Sequence, residues 1–333
     1  MKQQSEESKK IKIVFFGTPE FAATILTGLI EESGFSVAVV FSQPDKKVGR
    51  KQKIVFSPVK QAAQSFGIKV YQPENLKDGS VAQEIKEINP DIAIVAAYGK
   101  ILPKEILALP RFGCVNVHAS LLPKYRGASP IQHAILAGDK ETGVTLMLMN
   151  EKMDEGNILA QEKVVIEKVD TTETLERKIA ERSVKMIINF APRWIAGKGN
   201  PQKQNESEAT YCRKIKKEDG KIDWSQPAKE IFRKWRAFQP WPGIYTFFKE
   251  KNRVFRIALT NISADEAAAT GENSGKVVEY NKKIGVQTGK GIVVIESVRP
   301  EGKKKMTIGE FLAGHKDFLG SYLGDENGKT KNT

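Results

Sequence analysis

The sequence predicts an α/β chain of two domains, in which a doubly wound parallel sheet precedes a small OB-like β-barrel. Short apolar runs alternate with helix-like segments through the first half, a rhythm typical of βαβ units. Short strand-like runs with glycine turns follow a polar break in the second half, as in small barrels. The length of 333 residues also exceeds the roughly 250–300 residues at which a single core stops growing.

The elements of the first half are predicted from apolar runs and capping residues. Ile11–Gly17 is a short apolar run that ends at glycine, which indicates a buried strand. Thr18 is expected to be the N-cap of the next helix, with Pro19 at its first position. Further strands are predicted at 35–41, 69–71 and 91–98, and helices at 58–66, 81–87, 130–136 and 174–194. Ligands of such sheets bind beyond the carboxyl ends of the strands.

The second half begins after a segment without apolar residues, 197–208, which predicts an interdomain linker. The first domain then spans 1–196 and the barrel domain 209–323. A helix is predicted at 228–236, and strands at 243–248, 253–260, 276–279, 284–288 and 291–298. The polar tail, 324–333, is expected to be disordered.

The net charge of the chain is +13, and its distribution is uneven. From Ala196 onward there are 26 Lys and Arg against 17 Asp and Glu, a net of +9. This excess favours a polyanionic partner of the second domain, and OB folds commonly bind nucleic acid. A solvated lysine-rich surface would also account for the charge alone.

Composition and motifs indicate which cellular compartment is expected and which kinds of site are not. The two cysteines, Cys114 and Cys212, cannot build a disulfide framework. No apolar run approaches the ~20 residues of a membrane span, and the polar start does not resemble a signal peptide, so a cytoplasmic location is expected. Gly17 stands alone after the first strand, without a dinucleotide or phosphate-loop motif. The histidines and cysteines lack zinc spacing, so no metal is expected.

The segment from Cys114 to Gln161 carries the candidate site. Asn116 and His118 are two residues apart on a β-like run, so their side chains are expected on one face of a strand. Asp154 returns after a second apolar run. An amide donor, an imidazole and a carboxylate can thus meet at strand ends, and acyl transfer needs an oxyanion donor and a proton acceptor. Alternatively, Asn116 and His118 are satisfied polar groups on a buried strand.

This segment resembles the formyltransferases that use 10-formyltetrahydrofolate. The shared pattern is Asn-x-His, Ser-Leu-Leu-Pro-x-Tyr-Arg-Gly and, some thirty residues later, Asp-x-Gly. The resemblance implies a Rossmann-like catalytic domain in which Asn116 and a protonated His118 stabilise the tetrahedral oxyanion. Asp154 would orient His118 and relay the amine proton. It also implies that 10-formyltetrahydrofolate is the co-substrate.

The resemblance further implies a folate site formed largely by backbone groups. Its residues would be Ser120, Leu121, Leu122 and Pro123 on one side and Tyr98, Lys100 and Leu102 on the other. The apolar members of this set could instead be plain core residues.

A basic loop suggests the acceptor of the formyl group. Gln-Pro-Asp-x-x-x-Gly-Arg at residues 43–50 resembles the tRNA-contacting insertion of the family members that act on methionyl-tRNA. It implies that Arg50, Lys51 and Lys53 bind tRNA, although an ordinary surface loop rich in lysine is the alternative. Arg-Lys-Ile-x-Lys-Glu-Asp, Ile-Asp-Trp and Arg-Ala-Phe-x-Pro-Trp-Pro-Gly are similar to elements of the second domain in the same members.

The expected function is therefore formyl transfer to the α-amino group of methionine on initiator methionyl-tRNA, with no stable protein partner and no membrane. One alternative is an inactive RNA-binding module on this scaffold, against which the intact Asn116, His118 and Asp154 argue. The other is a formyltransferase for an amino sugar or amino nucleotide, against which the basic second domain and the Arg50 loop argue.

Overall fold

The computed structural model describes residues 10–48, 52–251 and 253–324, and it divides into two compact units. The first comprises the chain up to Pro130, Lys140–Ile166 and Thr174–Arg213; the second comprises Ile131–Asp139, Glu167–Glu173 and the chain from Lys214 onward. None of the helices in the described part of the chain is long and apolar enough to cross a membrane.

The strands up to residue 212 follow the predicted rhythm. They are β1 (Ile11–Gly17), β2 (Phe35–Phe41), β3 (Lys46–Val48), β4 (Lys53–Val55), β5 (Val70–Tyr71), β6 (Ile92–Ala96), β7 (Cys114–His118), β8 (Arg126–Gly127), β9 (Glu141–Leu148), β10 (Ile158–Val165) and β11 (Tyr211–Cys212). The helices are α1 (Glu20–Glu31), α2 (Pro58–Ser65), α3 (Ser80–Ile88), α4 (Lys104–Leu107), α5 (Pro130–Ala137) and α6 (Thr172–Ile195).

The main sheet of the first unit has the order β10-β9-β7-β6-β1-β2-β5 among the described residues. Strands β7, β6, β1, β2 and β5 run parallel, which confirms the parallel α/β prediction. Strands β9 and β10 complete one edge in antiparallel pairing. Residues 13–16 of β1 have no exposed surface, as expected for a central parallel strand covered on both faces. Val14 and Phe16 pack in one core cluster with Ile85 of α3 and Ile106 of α4.

The predicted cap of the first helix is wrong. Helix α1 begins at Glu20, Pro19 occupies the N-cap position, and no side chain caps the helix. The Thr18 hydroxyl instead donates to the carbonyl oxygen of Tyr98 at 3.1 Å. Thr18 therefore links the loop after β1 to the loop after β6, and its hydroxyl is not used within the helix.

The segment predicted as a linker, 197–208, lies within the first unit. The backbones of Gln202 and Ile158 pair through two hydrogen bonds of 2.8 Å. Further along, β11 pairs in parallel with β8. Contact with β10 and β8 thus gives this polar segment a fixed place, which its composition did not indicate.

The second unit contains the predicted barrel. Its elements are α7 (Ala228–Ala237), β12 (Ile244–Glu250), β13 (Arg253–Asp265), β14 (Val277–Tyr280), β15 (Lys283–Gln287), β16 (Ile292–Pro300), β17 (Met306–Thr307), α8 (Ile308–Gly314) and β18 (Leu323–Gly324). The antiparallel order is β14-β15-β16-β13-β12-β18, with β17 on β16. Backbone hydrogen bonds from Val277 to Ser321 (2.9 Å) and from Leu323 to Gly275 (2.8 Å) join the two ends of this order.

This closed antiparallel sheet confirms the OB-like prediction. Phe248, Phe311 and Phe318 are buried inside it and contact each other edge to face, an arrangement that aromatic rings favour. Gly324, predicted as the first residue of the tail, belongs to β18 and pairs with Phe247 of β12. The rest of the predicted tail, 325–333, lies outside the described residues.

Candidate active site

Strand β7 carries two of the predicted catalytic residues. It lies between β6, its parallel neighbour, and β9, its antiparallel neighbour. Asn116 is half-buried and His118 is buried. β7 is one of the parallel strands of the sheet, and α/β sheets bind ligands beyond the carboxyl ends of such strands.

Asn116, His118 and Asp154 meet at one carboxylate oxygen. Nδ2 of Asn116 donates to Oδ1 of Asp154 at 3.4 Å, and Nδ1 of His118 lies 3.7 Å from the same oxygen. The two strand residues therefore point to one face, as their spacing predicts. Among the described residues, the amide nitrogen of Asn116 makes no other hydrogen bond.

The backbone of Tyr125 fixes the orientation of the His118 ring. Nε2 of His118 lies 2.9 Å from the carbonyl oxygen of Tyr125. A carbonyl can only accept, so Nε2 carries the proton of a neutral ring and Nδ1 presents its lone pair towards Asp154. Protonation at Nδ1 would turn this face of the ring into a donor beside a carboxylate. The ring is thus oriented with Nδ1 facing the carboxylate of Asp154.

The position of Asp154 is set by its backbone conformation and by a hydrogen bond to its carboxylate. Its φ of +56° lies in the left-handed region, which is uncommon for a residue with a side chain. Oδ2 accepts a hydrogen bond from the backbone N–H of Gly127 at 2.8 Å. Two residues later, a Cβ on Gly156 would lie 1.8 Å from the carbonyl oxygen of Leu148. The glycine of the Asp-x-Gly motif therefore permits the close turn that presents Asp154.

A buried polar network behind Asp154 was not predicted. Nε2 of Gln204 donates to the carbonyl oxygens of Asp154 and Gly156, both at 2.8 Å. Oε1 of Gln204 accepts from Nε and Nη2 of Arg126 at 3.0 and 2.8 Å. Arg126 also forms a bidentate ion pair with Glu206, at 2.9 and 2.8 Å. The Ser-Leu-Leu-Pro-x-Tyr-Arg-Gly motif pointed to Arg126, but no local signal marked Gln204.

The predicted folate segment 120–123 is anchored by two further residues that the sequence did not single out. The Thr145 hydroxyl donates to the carbonyl oxygen of Ser120 at 2.7 Å and accepts from the N–H of Leu122 at 3.0 Å. Nε2 of Gln161 donates to the carbonyl oxygen of Leu122 at 2.8 Å. Ser120 and Leu122 are buried, while Leu121 and Pro123 are half-buried. The backbone of this segment is therefore fixed from strands β9 and β10.

Two of the three side chains predicted in the second folate segment are buried. Tyr98 and Leu102 are buried in the core cluster of the sheet. Burial raises the pKa of Tyr98 to about 12, and its hydroxyl has no hydrogen-bond partner among the described residues. Nζ of Lys100 donates to the carbonyl oxygens of Pro73 and Glu74 at 2.6 and 2.8 Å. Lys100 thus connects the loop after β6 with the loop after β5 through hydrogen bonds.

Of the predicted tRNA-binding residues, Arg50 and Lys51 lie outside the described residues. Lys53 is exposed on β4, which pairs with β3 in a hairpin. At the base of this hairpin, Asp45 accepts from Nζ of Lys60 at 2.6 Å and from Nε2 of Gln72 at 2.8 Å. The hydrogen bond with Lys60 is the main cause of the lowered pKa of Asp45.

A groove of the first unit lies away from these residues. It is an open space of about 650 Å³ lined by α1, α2 and α6, and none of the predicted site residues borders it. In the part of the chain that the structure describes, no group of three or more His, Cys, Asp or Glu side chains is arranged to hold a metal ion.

Solved structures of known proteins share this fold. HypX from Aquifex aeolicus in complex with tetrahydrofolic acid is similar with a TM-score of 0.61 and 18% identity, over 93% of this chain and 48% of HypX. The chain thus spans about half the length of HypX. The sugar 3N-formyl transferase WlaRD, in the presence of dTDP and 5-N-formyl-THF, gives a TM-score of 0.60 and 21% identity, over 89% of this chain and all of WlaRD.

Sequence comparison identifies the family. The family described as formyl transferase matches residues 9–190, and the formyl transferase C-terminal domain matches residues 214–316. The methionyl-tRNA formyltransferase of Caldanaerobacter subterraneus is 45% identical over 94% of this chain and 100% of its own. That of Caldicellulosiruptor saccharolyticus is 42% identical over 93% and 99%. The chain therefore belongs to the formyltransferase family, among the methionyl-tRNA formyltransferases.

Proposed function

We propose that Asn116, His118 and Asp154 carry the transfer of a formyl group from 10-formyltetrahydrofolate to the α-amino group of methionine on initiator methionyl-tRNA. The product is N-formylmethionyl-tRNA, which is used to start translation, and the cytoplasm is accordingly the proposed location. The observation that carries this proposal is the convergence of the Asn116 amide and the His118 imidazole on Oδ1 of Asp154, at 3.4 and 3.7 Å.

Asn116 and His118 are assigned the role of stabilising the oxyanion. Attack by the amine nitrogen forms a C–N bond and moves the C=O π electrons onto the formyl oxygen. The second N–H of Asn116 would donate to that oxygen, and Nδ1–H of a protonated His118 would donate as well. Both groups are fixed by the sheet and by Tyr125 before the substrate arrives, and donors placed in advance need no reorganisation in the transition state.

Asp154 is assigned the transfer of the proton from the amine to the folate. The attacking amine loses one proton as the C–N bond forms, and N10 of the folate gains one as its bond to the formyl carbon breaks. Oδ1 of Asp154 would take the first proton and supply the second, directly or through water. Oδ2 remains held by Gly127 at 2.8 Å, so the carboxylate keeps its orientation while Oδ1 changes its protonation state.

Folate would lie along the segments 98–102 and 120–123. In the first segment the carbonyl of Tyr98 accepts from Thr18 and Gln43, and the second segment is held by Thr145 and Gln161. Because Tyr98 and Leu102 are buried, recognition is assigned to backbone groups and not to these side chains. A rigid backbone edge suits the hydrogen-bonding edge of a flat heterocycle.

The tRNA is assigned to the hairpin and to the barrel. Arg50, Lys51 and Lys53 belong to one basic stretch of the sequence, and the chain from Ala196 onward has a net charge of +9. Basic side chains attract the phosphate backbone, and an arginine can in addition pair with a base edge. These features favour a methionyl-tRNA acceptor over an amino sugar.

The test is a comparison of acceptors with one formyl donor. With 10-formyltetrahydrofolate, the protein should formylate initiator methionyl-tRNA efficiently and free methionine or small amines very poorly. Asp154→Asn should lower kcat for transfer to the tRNA by orders of magnitude, to a residual rate that is still measurable, while the protein still binds the tRNA. Comparable kcat/KM values for methionyl-tRNA and for a free amine would contradict the assigned acceptor. Wild-type turnover by Asp154→Asn would contradict the assigned chemistry.

A further inference from the structure

The side-chain amide of Gln204 is buried and fully hydrogen-bonded. Its exposed fraction is 4%. Its two N–H groups donate to the carbonyl oxygens of Asp154 and Gly156, and its oxygen accepts twice from Arg126. A glutamine amide offers two donors and two lone pairs, and here they face one loop and one guanidinium, with Sδ of Met147 a further contact of Nε2 at 3.6 Å.

Arg126 determines which way that amide faces. If the oxygen and nitrogen of Gln204 were exchanged, an NH₂ group would face the guanidinium and an oxygen would face two carbonyls. Arg126 is itself 1% exposed, and its five N–H donors all have partners: two on Gln204, two on Glu206 and one on the Tyr211 hydroxyl. A rigid guanidinium fork with matched donors has a single favourable orientation.

The two carbonyls that Gln204 binds lie on either side of Glu155, in the turn that presents Asp154. That turn needs a positive φ at Asp154, a conformation that a residue with a side chain adopts only when its surroundings impose it. One amide that binds both carbonyls imposes it directly. Without the amide, the part-buried carbonyl of Asp154 and the buried carbonyl of Gly156 would lose this donor, and the turn would relax towards a conformation that gives them other partners.

We propose that Gln204 is a positioning residue for formyl transfer, which holds Asp154 so that Oδ1 faces His118 and Asn116 while buried Arg126 sets the orientation of the Gln204 amide. This inference rests on the proposed role of Asp154. Gln204 does not touch the reacting atoms, and its effect reaches them through the backbone of residues 154–156.

The first measurement is the steady-state kinetics of Gln204→Met, which keeps the length of the side chain and removes its hydrogen bonds to Arg126 and to the carbonyls of Asp154 and Gly156. Its kcat should fall about 10- to 100-fold, because small misplacements of a catalytic group have effects of this size. KM for 10-formyltetrahydrofolate and for methionyl-tRNA should stay nearly unchanged. Gln202→Met is the matched control: Gln202 lies two residues earlier with an exposed side chain, and its substitution should leave kcat as in the wild type.

The second measurement is a double-mutant cycle with Asp154→Asn. If Gln204 acts through Asp154, Gln204→Met should lower kcat by less than about twofold in the Asp154→Asn background, since coupled residues are non-additive. A kcat loss by the same factor in both backgrounds, or no loss in either, would overturn the proposal and leave the proposed function standing. Full activity of the single variant Asp154→Asn would overturn both the positioning role of Gln204 and the proposed function. The kcat of that variant alone therefore distinguishes the two kinds of failure.

Gln204→Glu keeps the test decisive if Gln204→Met does not fold. Glutamate retains an acceptor for Arg126 and gains an ion pair with it, but a carboxylate cannot donate to the carbonyls of Asp154 and Gly156. A folded Gln204→Glu protein with a strongly reduced kcat and wild-type KM values supports the positioning role. The same protein with wild-type kcat overturns it.

Discussion

The backbone N–H of Gly127 donates to Oδ2 of Asp154 at 2.8 Å. Gly127 has a φ of +119°, and a Cβ at this position would lie 2.3 Å from the carbonyl oxygen of Cys212. The last residue of the Ser-Leu-Leu-Pro-x-Tyr-Arg-Gly motif thus has two physical reasons to be glycine. One is its backbone conformation, and the other is the close approach of β11, which together place an N–H group against the carboxylate.

We expect Gly127→Ala to impair both folding and catalysis. The new methyl group meets backbone and not a flexible side chain, so β8 or β11 must shift and the hydrogen bond to Asp154 is lost. The free energy of unfolding should fall by about 1–3 kcal/mol, and kcat should fall about 10-fold or more. Urea unfolding and steady-state kinetics measure these effects.

Gly302→Ala is the matched control for this change. Gly302 also has a positive φ, +73°, but nothing lies within 4 Å of the added Cβ. It should lose roughly 1 kcal/mol from backbone strain alone and keep wild-type kcat. If Gly127→Ala behaved like Gly302→Ala in both assays, Gly127 would not fix Asp154.

Local patterns were sufficient to predict much of the fold. Strands β1 and β2 begin and end as predicted, because their apolar runs are bounded by glycine and polar residues. The spacing of Asn116 and His118 placed them on one face for a geometric reason, the two-residue period of a strand. The antiparallel pairing of β9 and β10 was not predicted, because an apolar run does not encode strand direction.

The supporting residues of the site could not be predicted in the same way. Gln204 reaches Asp154 across 50 positions of sequence and Arg126 across 78. Its own neighbours are polar, so the segment indicated a linker. Thr18 shows the opposite case. A local rule predicted that its hydroxyl caps a helix, but the hydroxyl binds Tyr98, 80 residues away. Long-range hydrogen bonds leave no periodic signal, and only the folded chain brings their partners together.

We expect Asn116→Ala and His118→Ala each to lower kcat by about 10²–10³. Each change removes one donor proposed for the oxyanion while the fold stays intact, because neither side chain is a core apolar group. The binding of methionyl-tRNA, measured by filter retention, should be nearly unchanged. A kcat within about twofold of the wild type for either variant would remove that residue from the mechanism. His133→Ala is the comparison for loss of a histidine outside the predicted site, and it should keep its kcat.

We expect Tyr98→Phe to raise the free energy of unfolding by about 1 kcal/mol. The Tyr98 hydroxyl is buried without a partner among the described residues, so its removal ends a desolvation cost. Tyr280→Phe is the matched control, since that hydroxyl donates to Asp265 at 2.7 Å and its loss should destabilise the protein. KM for 10-formyltetrahydrofolate should be unchanged in Tyr98→Phe if folate binds the backbone here. An increase in that KM would show instead that the ring or hydroxyl contributes to binding.

We expect the stability contributed by Asp45 to depend on pH. Hydrogen bonds from Lys60 and Gln72 lower the pKa of Asp45 from its ordinary value of 3.8. A lowered folded-state pKa means that the ionised form stabilises the fold above the unfolded pKa. This stability is lost as the pH falls through the folded-state value.

Urea unfolding of the wild type and of Asp45→Asn tests this expectation. The variant should be less stable at pH 7, and the difference should shrink below about pH 4. Asp317→Asn, at an exposed aspartate, should show no comparable trend. A difference between wild type and Asp45→Asn that stays constant from pH 7 to pH 3 would mean that the carboxylate charge does not stabilise the base of the hairpin.

We expect Arg50 to contribute specificity for the acceptor end of the initiator tRNA. It follows Gly49 in the basic segment between β3 and β4, and an arginine can pair bidentately with a base edge or a phosphate, which lysine cannot copy. Arg50→Leu should reduce kcat/KM for initiator methionyl-tRNA severely, and Arg50→Lys should restore it only in part. The decisive comparison is with a tRNA whose first acceptor-stem bases are made to pair. If Arg50→Leu lowers kcat/KM for both tRNAs by the same factor, Arg50 supplies only general attraction to phosphate. If it lowers neither, tRNA selection does not depend on this loop.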